Sequence, residues 1–140
     1  MKILGISHIG LAPKDVAGSE NFFQAILGLK NFGSEDVTDQ KTRTTFFASN
    51  HDADNPTRLE ILQDLADGNG PVGSFIAKKG GGIHHIALAV ENVEEAIAFL
   101  LDKGVRMVDE SPRDGAHQTK VAFVHPKSTG GLLVELVQEA

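Results

Sequence analysis

Apolar residues in this chain follow two periods, and the same order of periods occurs twice. Ile3 to Ala12 alternates in the manner of a strand. After Asp15, helical spacing runs from Val16 to Leu27, with Val16, Phe22, Phe23, Ile26 and Leu27 as the apolar stripe and Gly28 just past the end. Leu29 to Val37 reads as a weaker strand. Lys41 to Ser49 alternates more clearly, with Thr42, Thr44 and Phe46 on one face and Arg43, Thr45 and Phe47 on the other. His51 to Pro56 is polar and predicts a hairpin loop, and Arg58 to Gln63 predicts the strand that follows it. Asp64 to Gly73 has no period and four glycines or prolines, so it reads as a linker. A short helix over Val72 to Lys79 is broken by Gly80, Gly81 and Gly82.

The plan then repeats. A strand over Ile83 to Val90 leads to a helix over Val93 to Lys103, closed by Gly104. A short strand is expected over Val105 to Val108, a polar loop from Asp109 to Gln118, and a strand over Thr119 to Val124. A turn over Pro126 to Gly131 and a strand over Leu132 to Val137 complete it. The repeat is legible in individual residues. Ser7-His8-Ile9-Gly10-Leu11-Ala12 is echoed by His84-His85-Ile86-Ala87-Leu88-Ala89, so His85 follows His8 by 77 residues, as Phe123 follows Phe46. Leu59-Glu60-Ile61 is echoed by Val134-Glu135-Leu136, 75 residues on. The expected fold is α+β. Two tandem β-α-β-β-β modules, 1–66 and 82–140, are joined by a linker and short helix over 67–81. Together they form one domain with a curved mixed sheet around a cleft.

Composition narrows the function. At 140 residues the chain can bury a sizeable core, and its net charge of −6 lacks the basic footprint of a nucleic-acid partner. With no cysteine, disulfides and thiolate metal sites are excluded. No stretch reads as a signal peptide or as a membrane span, so a cytoplasmic protein is expected. Trp and Tyr are absent, so aliphatic residues and Phe must line any pocket.

Side chains alternate along a strand, which puts His8 on one face with Ile6 and Gly10, and His85 with Ile83 and Ala87. Glu60 shares a face with Leu62, and Glu135 with Leu133 and Val137. Each is a polar group among apolar neighbours, a costly placement without a partner. A pseudo-twofold axis would bring all four to the cleft, where two imidazoles and two carboxylates suit a divalent ion such as Zn, Co, Ni or Mn. Taken singly, a strand His is more often a hydrogen-bonded structural residue, and a strand Glu more often faces solvent. The matched recurrence raises the metal reading. His84, on the opposite face, reads as structural or as a supporting residue. His125 before its proline turn reads as structural, His51 as solvated, and His117 as a residue lining the cleft.

These residues resemble the vicinal oxygen chelate superfamily, which includes glyoxalase I, extradiol dioxygenases, fosfomycin resistance proteins and methylmalonyl-CoA epimerases. The resemblance covers nearly the whole chain and is greatest to the epimerase family. It is carried by the two His motifs, by Pro112-Arg113-Asp114-Gly115-Ala116-His117, and above all by Phe123-Val124-His125-Pro126-Lys127-Ser128-Thr129-Gly130-Gly131 and the strand to Leu136. It implies one divalent ion held by His8, Glu60, His85 and Glu135. The implied activity is epimerisation of 2-methylmalonyl-CoA by proton abstraction alpha to the thioester, through a metal-stabilised enolate. The implied assembly is a homodimer. Two departures matter: some epimerases have Gln where Glu60 stands, and a catalytic Glu where Thr44 stands. With Thr44 unable to act as a base, Glu60 and Glu135 are expected to double as ligands and acid–base groups, as in glyoxalase I. Thr44, Lys78, Lys79, Arg113, His117 and Lys127 are candidate substrate contacts, the cations for CoA phosphates. The alternative enzyme is glyoxalase I, acting on the methylglyoxal–glutathione hemithioacetal. A non-catalytic binding or resistance protein is the alternative outside catalysis.

Overall fold

In a computed structural model, which describes residues 1–49 and 57–140, the first strand is β1, Ile3–Ala12. The loop expected over 51–56, with His51, lies outside the described residues. Contacts divide the chain into a unit His8–His84 and a unit made of Met1–Ser7 with His85–Ala140, so the division falls within β1.

In the unit His8–His84, β1 is followed by α1 (Val16–Asn21), β2 (Lys30–Val37), β3 (Thr42–Ala48), β4 (Arg58–Asp64) and α2 (Pro71–Lys79). The strand order is β2-β3-β4-β1, with β1 parallel to β4 and the other pairs antiparallel. Asp15 caps α1 by accepting the Gly18 N–H at 3.0 Å. The expected helix to Leu27 changes character at Phe22, where a π turn runs over Phe22–Ile26 and Leu27 N–H donates to the Phe22 carbonyl. The wider turn interrupts the helical period of the apolar stripe. Phe23 meets Phe47 with ring centroids 6.3 Å apart, while Phe22, Ile26 and Leu27 are 47%, 66% and 54% exposed. The stripe expected to be buried is therefore largely on the surface. Helix α2 starts with Pro71 at its first turn, packs Val72 against Ala12 and Leu62, and ends at Gly80 with a left-handed φ of 82°.

The linker is organised by one carboxylate. Asp64 accepts the N–H groups of Ala66, Gly68 and Gly70 at 3.1, 2.6 and 3.0 Å. Burial acts to raise its pKa, but the backbone donors of Gly68, Ala66, Gly73 and Gly70 outweigh burial and hold the carboxyl below its ordinary value of 3.8. Asp64→Ala is expected to cost on the order of 1–3 kcal/mol by urea unfolding, the range for losing hydrogen bonds to a charged group. A folded-state pKa below the unfolded one gives stability that is present above the unfolded value and lost as pH falls through the folded one. The gap between wild type and variant should therefore be full near neutrality and close in acid below 3.8. A gap that stays constant into acid would contradict this role.

The other unit repeats the plan. β5 (Gly82–Val90, of which His85 onward belongs here) is followed by α3 (Val93–Asp102), β6 (Arg113–Asp114), β7 (Lys120–Val124) and β8 (Val134–Gln138). The order β6-β7-β8-β5, with β5 parallel to β8, matches that of the first unit. Asn92 caps α3 through the Glu95 N–H at 2.9 Å, and Glu94 and Glu95 lie at the helix's positive end. The apolar face of α3 places Val93, Ala96 and Ile97 in one cluster with Val90, Met107, Ala122, Val124 and Leu136. The strand expected over Val105 to Val108 is reduced to one bridge, Met107 with Val124. Val105 N–H instead bonds the Leu100 carbonyl, and the Asp109 carboxylate takes the Phe123 N–H at 2.9 Å. The expected loop from Asp109 contains the two residues of β6 and a single turn over Ala116–Gln118. No helix among the described residues is long and apolar enough to cross a membrane.

Candidate functional site

In the β1–β4 register, His8 lies across from Arg58 and Gly10 across from Glu60. Facing residues of paired strands project to the same side, so His8, Arg58 and Glu60 share a face. His8 Nδ1 stands 3.2 Å from Glu60 Oε2, and Arg58 Nε stands 3.3 Å from that same oxygen. His8 and Glu60 are each only 6% exposed. On the neighbouring strand Phe46 lies across from Glu60 and Thr44 across from Leu62, which puts Thr44, buried, on the same face.

The second unit builds the same arrangement in the same register. Ala87, two residues after His85, lies across from Glu135, just as Gly10, two residues after His8, lies across from Glu60. Phe123 lies across from Glu135, as Phe46 does from Glu60. His85 Nε2 is 2.9 Å from Glu135 Oε1, and both residues are 6% exposed. The Phe123 ring meets His85 edge-on at 5.7 Å, and the Arg113 guanidinium lies 5.8 Å from the centre of that ring.

Within each pair the N···O spacing fits two roles. It suits a hydrogen bond, and it suits two adjacent ligands on one ion, which stand about 3.0 Å apart for bonds of about 2.1 Å at right angles. Each pair, His8 with Glu60 and His85 with Glu135, offers an imidazole and a carboxylate, donor types that fit a divalent ion. Burying a carboxylate is costly unless it is paired, and here that cost is met twice with the same residue types.

The other candidates are more scattered. Lys78 and Lys79 are exposed in the last turn of α2, and Lys127 is exposed in the turn Pro126–Ser128. Arg113 Nε lies 3.0 Å from Asp109 Oδ1, an ion pair without hydrogen-bond alignment. His117 is exposed, with a left-handed φ of 55°. His84 packs edge-on against Phe75 at 4.9 Å, a structural contact. His125 caps its own turn, with Nδ1 accepting the Lys127 N–H at 3.1 Å. Burial, Arg106 and Lys127 together hold its pKa below the usual histidine value. Arg58 is the site-face residue that the sequence pattern did not single out. Its position two residues before Glu60 on one strand is the signal that marks it.

A family model for the glyoxalase/bleomycin resistance protein/dioxygenase superfamily matches residues 7–123. Uncharacterized protein YqjC of Bacillus subtilis is 35% identical, over 95% of this chain and 91% of its own length. The mitochondrial methylmalonyl-CoA epimerase of Homo sapiens is 32% identical, over 95% of this chain and 73% of its own. A variant of Streptomyces coelicolor methylmalonyl-CoA epimerase, solved in complex with 2-nitronate-propionyl-CoA, is 34% identical with a TM-score of 0.91. That match covers 99% of this chain and 96% of that one.

Proposed function

We propose a function from one premise: the chain belongs to the glyoxalase/bleomycin resistance protein/dioxygenase superfamily and, within it, to the methylmalonyl-CoA epimerase family, which places it among the isomerases. The reading is a metal-dependent epimerase of 2-methylmalonyl-CoA. The observation that carries it is the buried His–Glu pair, built twice in the same register, in a chain of this family.

His8, Glu60, His85 and Glu135 would hold the ion, which when bound supplies Lewis-acid stabilisation of negative charge on the substrate's oxygens. The protein's own groups must move a proton. Inversion at the carbon alpha to the thioester needs one group to take the proton from one face and another to return a proton to the opposite face. Glu60 and Glu135 are the carboxylates available for this, one on the last strand of each unit. Thr44 has no basic group at neutral pH and lines the Glu60 face. Thr44→Ala should therefore keep most of the turnover, and a loss as large as that from a ligand variant would place the base on its side of the face.

Lys78, Lys79, Arg113 and Lys127 are the cations proposed for CoA phosphates, with His117 as a further proposed substrate contact. The assembly in this reading is a cytoplasmic homodimer. Exposed Phe22, Ile26, Leu27 and Phe32 are the apolar surface that a second copy would cover. The functional test supplies the metal-loaded protein with each epimer of methylmalonyl-CoA and, separately, with the methylglyoxal–glutathione hemithioacetal. Interconversion of the epimers is expected. Turnover of the hemithioacetal alone would replace this reading with glyoxalase I.

A further inference from the structure

Phe123 is pinned on both sides of its strand. Its N–H donates to Asp109 Oδ2 at 2.9 Å, and its carbonyl accepts the Val108 N–H at 2.9 Å. On the other side it lies across from Glu135 in the β7–β8 register. The second Asp109 oxygen, Oδ1, lies 3.0 Å from Arg113 Nε. Arg113 is across from Val121, so it shares a face with Phe123, and its guanidinium stands 5.8 Å from the centre of the Phe123 ring. The same ring meets His85 edge-on at 5.7 Å, and His85 Nε2 is 2.9 Å from Glu135 Oε1. One carboxylate thus fixes both the backbone of Phe123 and the cation on its ring. Arg113 Nε is buried without an aligned hydrogen bond, so the charge of Asp109 is what offsets its burial.

We propose that Asp109 is a positioning residue for the His85–Glu135 pair, acting through Arg113 and the Phe123 ring. This rests on the metal reading above. An imidazole turns about two side-chain bonds, and holding an ion beside Glu135 needs one direction of the ring. Phe123 is a wall against which the imidazole is set, and Asp109 keeps that wall in place. An exposed ion pair would contribute little to such a task. The Asp109 side chain is only 11% exposed, and each of its oxygens has its own partner.

The test measures zinc affinity by competition with a chelating dye, for wild type, Asp109→Ala, Asp109→Asn, Phe123→Leu and the double variant Asp109→Ala/Phe123→Leu. Imidazole NMR signals and melting temperatures of the metal-free proteins are recorded beside it. Asp109→Ala should weaken zinc by about 10–100-fold, the usual cost of losing a group that orients a ligand. It should also shift the His85 imidazole signals with no metal present. Asp109→Asn keeps an acceptor for the Phe123 N–H without the charge for Arg113. It should fall between, and it carries the test if the alanine variant does not fold. Phe123→Leu should weaken zinc by itself, and adding Asp109→Ala to it should then cost less than about twofold, because the route through the ring is already gone. A purely structural anchor would lower the melting temperature while leaving zinc affinity and the His85 signals unchanged. That result, or an equal loss with and without the Phe123 ring, overturns the proposal. Wild type that binds no zinc would overturn the metal reading, and this proposal with it.

Discussion

His8→Ala and His85→Ala are each expected to lose most of the divalent-metal affinity, and turnover with it. Removing a partner that merely orients a ligand costs about 10–100-fold in affinity. Removing a ligand itself should exceed that. Purified wild type should carry about one ion per chain, and chelation should abolish turnover that metal then restores. Each His is buried against one carboxylate, so its loss also leaves that carboxylate without its imidazole partner. Thermal melts of the metal-free proteins therefore separate a folding defect from a binding one. Full metal occupancy in a folded double variant would remove the proposed centre.

The second large effect separates ligand from base. Glu60→Gln and Glu135→Gln keep the side chain's shape and a neutral oxygen donor but cannot accept a proton. Each should retain substantial metal while turnover falls by about 10²–10⁴, the usual scale of a general acid–base contribution. The losses should also be divided by face: one variant should still exchange the alpha proton of one epimer with solvent, the other that of the opposite epimer. Parallel loss of metal and activity in both would make these residues ligands only. Full activity in Glu60→Gln would move the second base elsewhere, with His117 the first residue to examine.

Much of this was readable from the chain because strands expose their logic in a period of two. The first strand, both His positions, both Glu positions and the offsets of 77 and 75 residues were in the sequence. The structure adds that both offsets land in one register, Gly10 with Glu60 and Ala87 with Glu135. Three features were not legible because they depend on contacts between elements. The π turn at Phe22–Ile26 interrupts the period of a stripe that helical spacing alone would bury. The stretch after Val105 keeps a single bridge, with Val108 N–H on the Phe123 carbonyl and His125 N–H on the Arg106 carbonyl, while Val105 N–H turns back to Leu100. Arg58 gains its meaning only once β4 is laid beside β1 and the guanidinium is seen on Glu60. The linker sits between these cases. Asp64 followed by glycines at 68 and 70 is a pattern suited to a side chain that gathers backbone donors, and that is the role it takes.

The most direct measurement of the central claim is alpha-proton exchange. Metal-loaded protein is incubated with methylmalonyl-CoA in deuterated water, and deuterium at the alpha carbon is followed by mass spectrometry. An epimerase that removes the proton on one face and returns it on the other should incorporate solvent deuterium while interconverting the epimers, and should stop doing both when the metal is chelated. Methylmalonyl-CoA that keeps its alpha proton in the presence of the folded, metal-loaded protein would contradict the account.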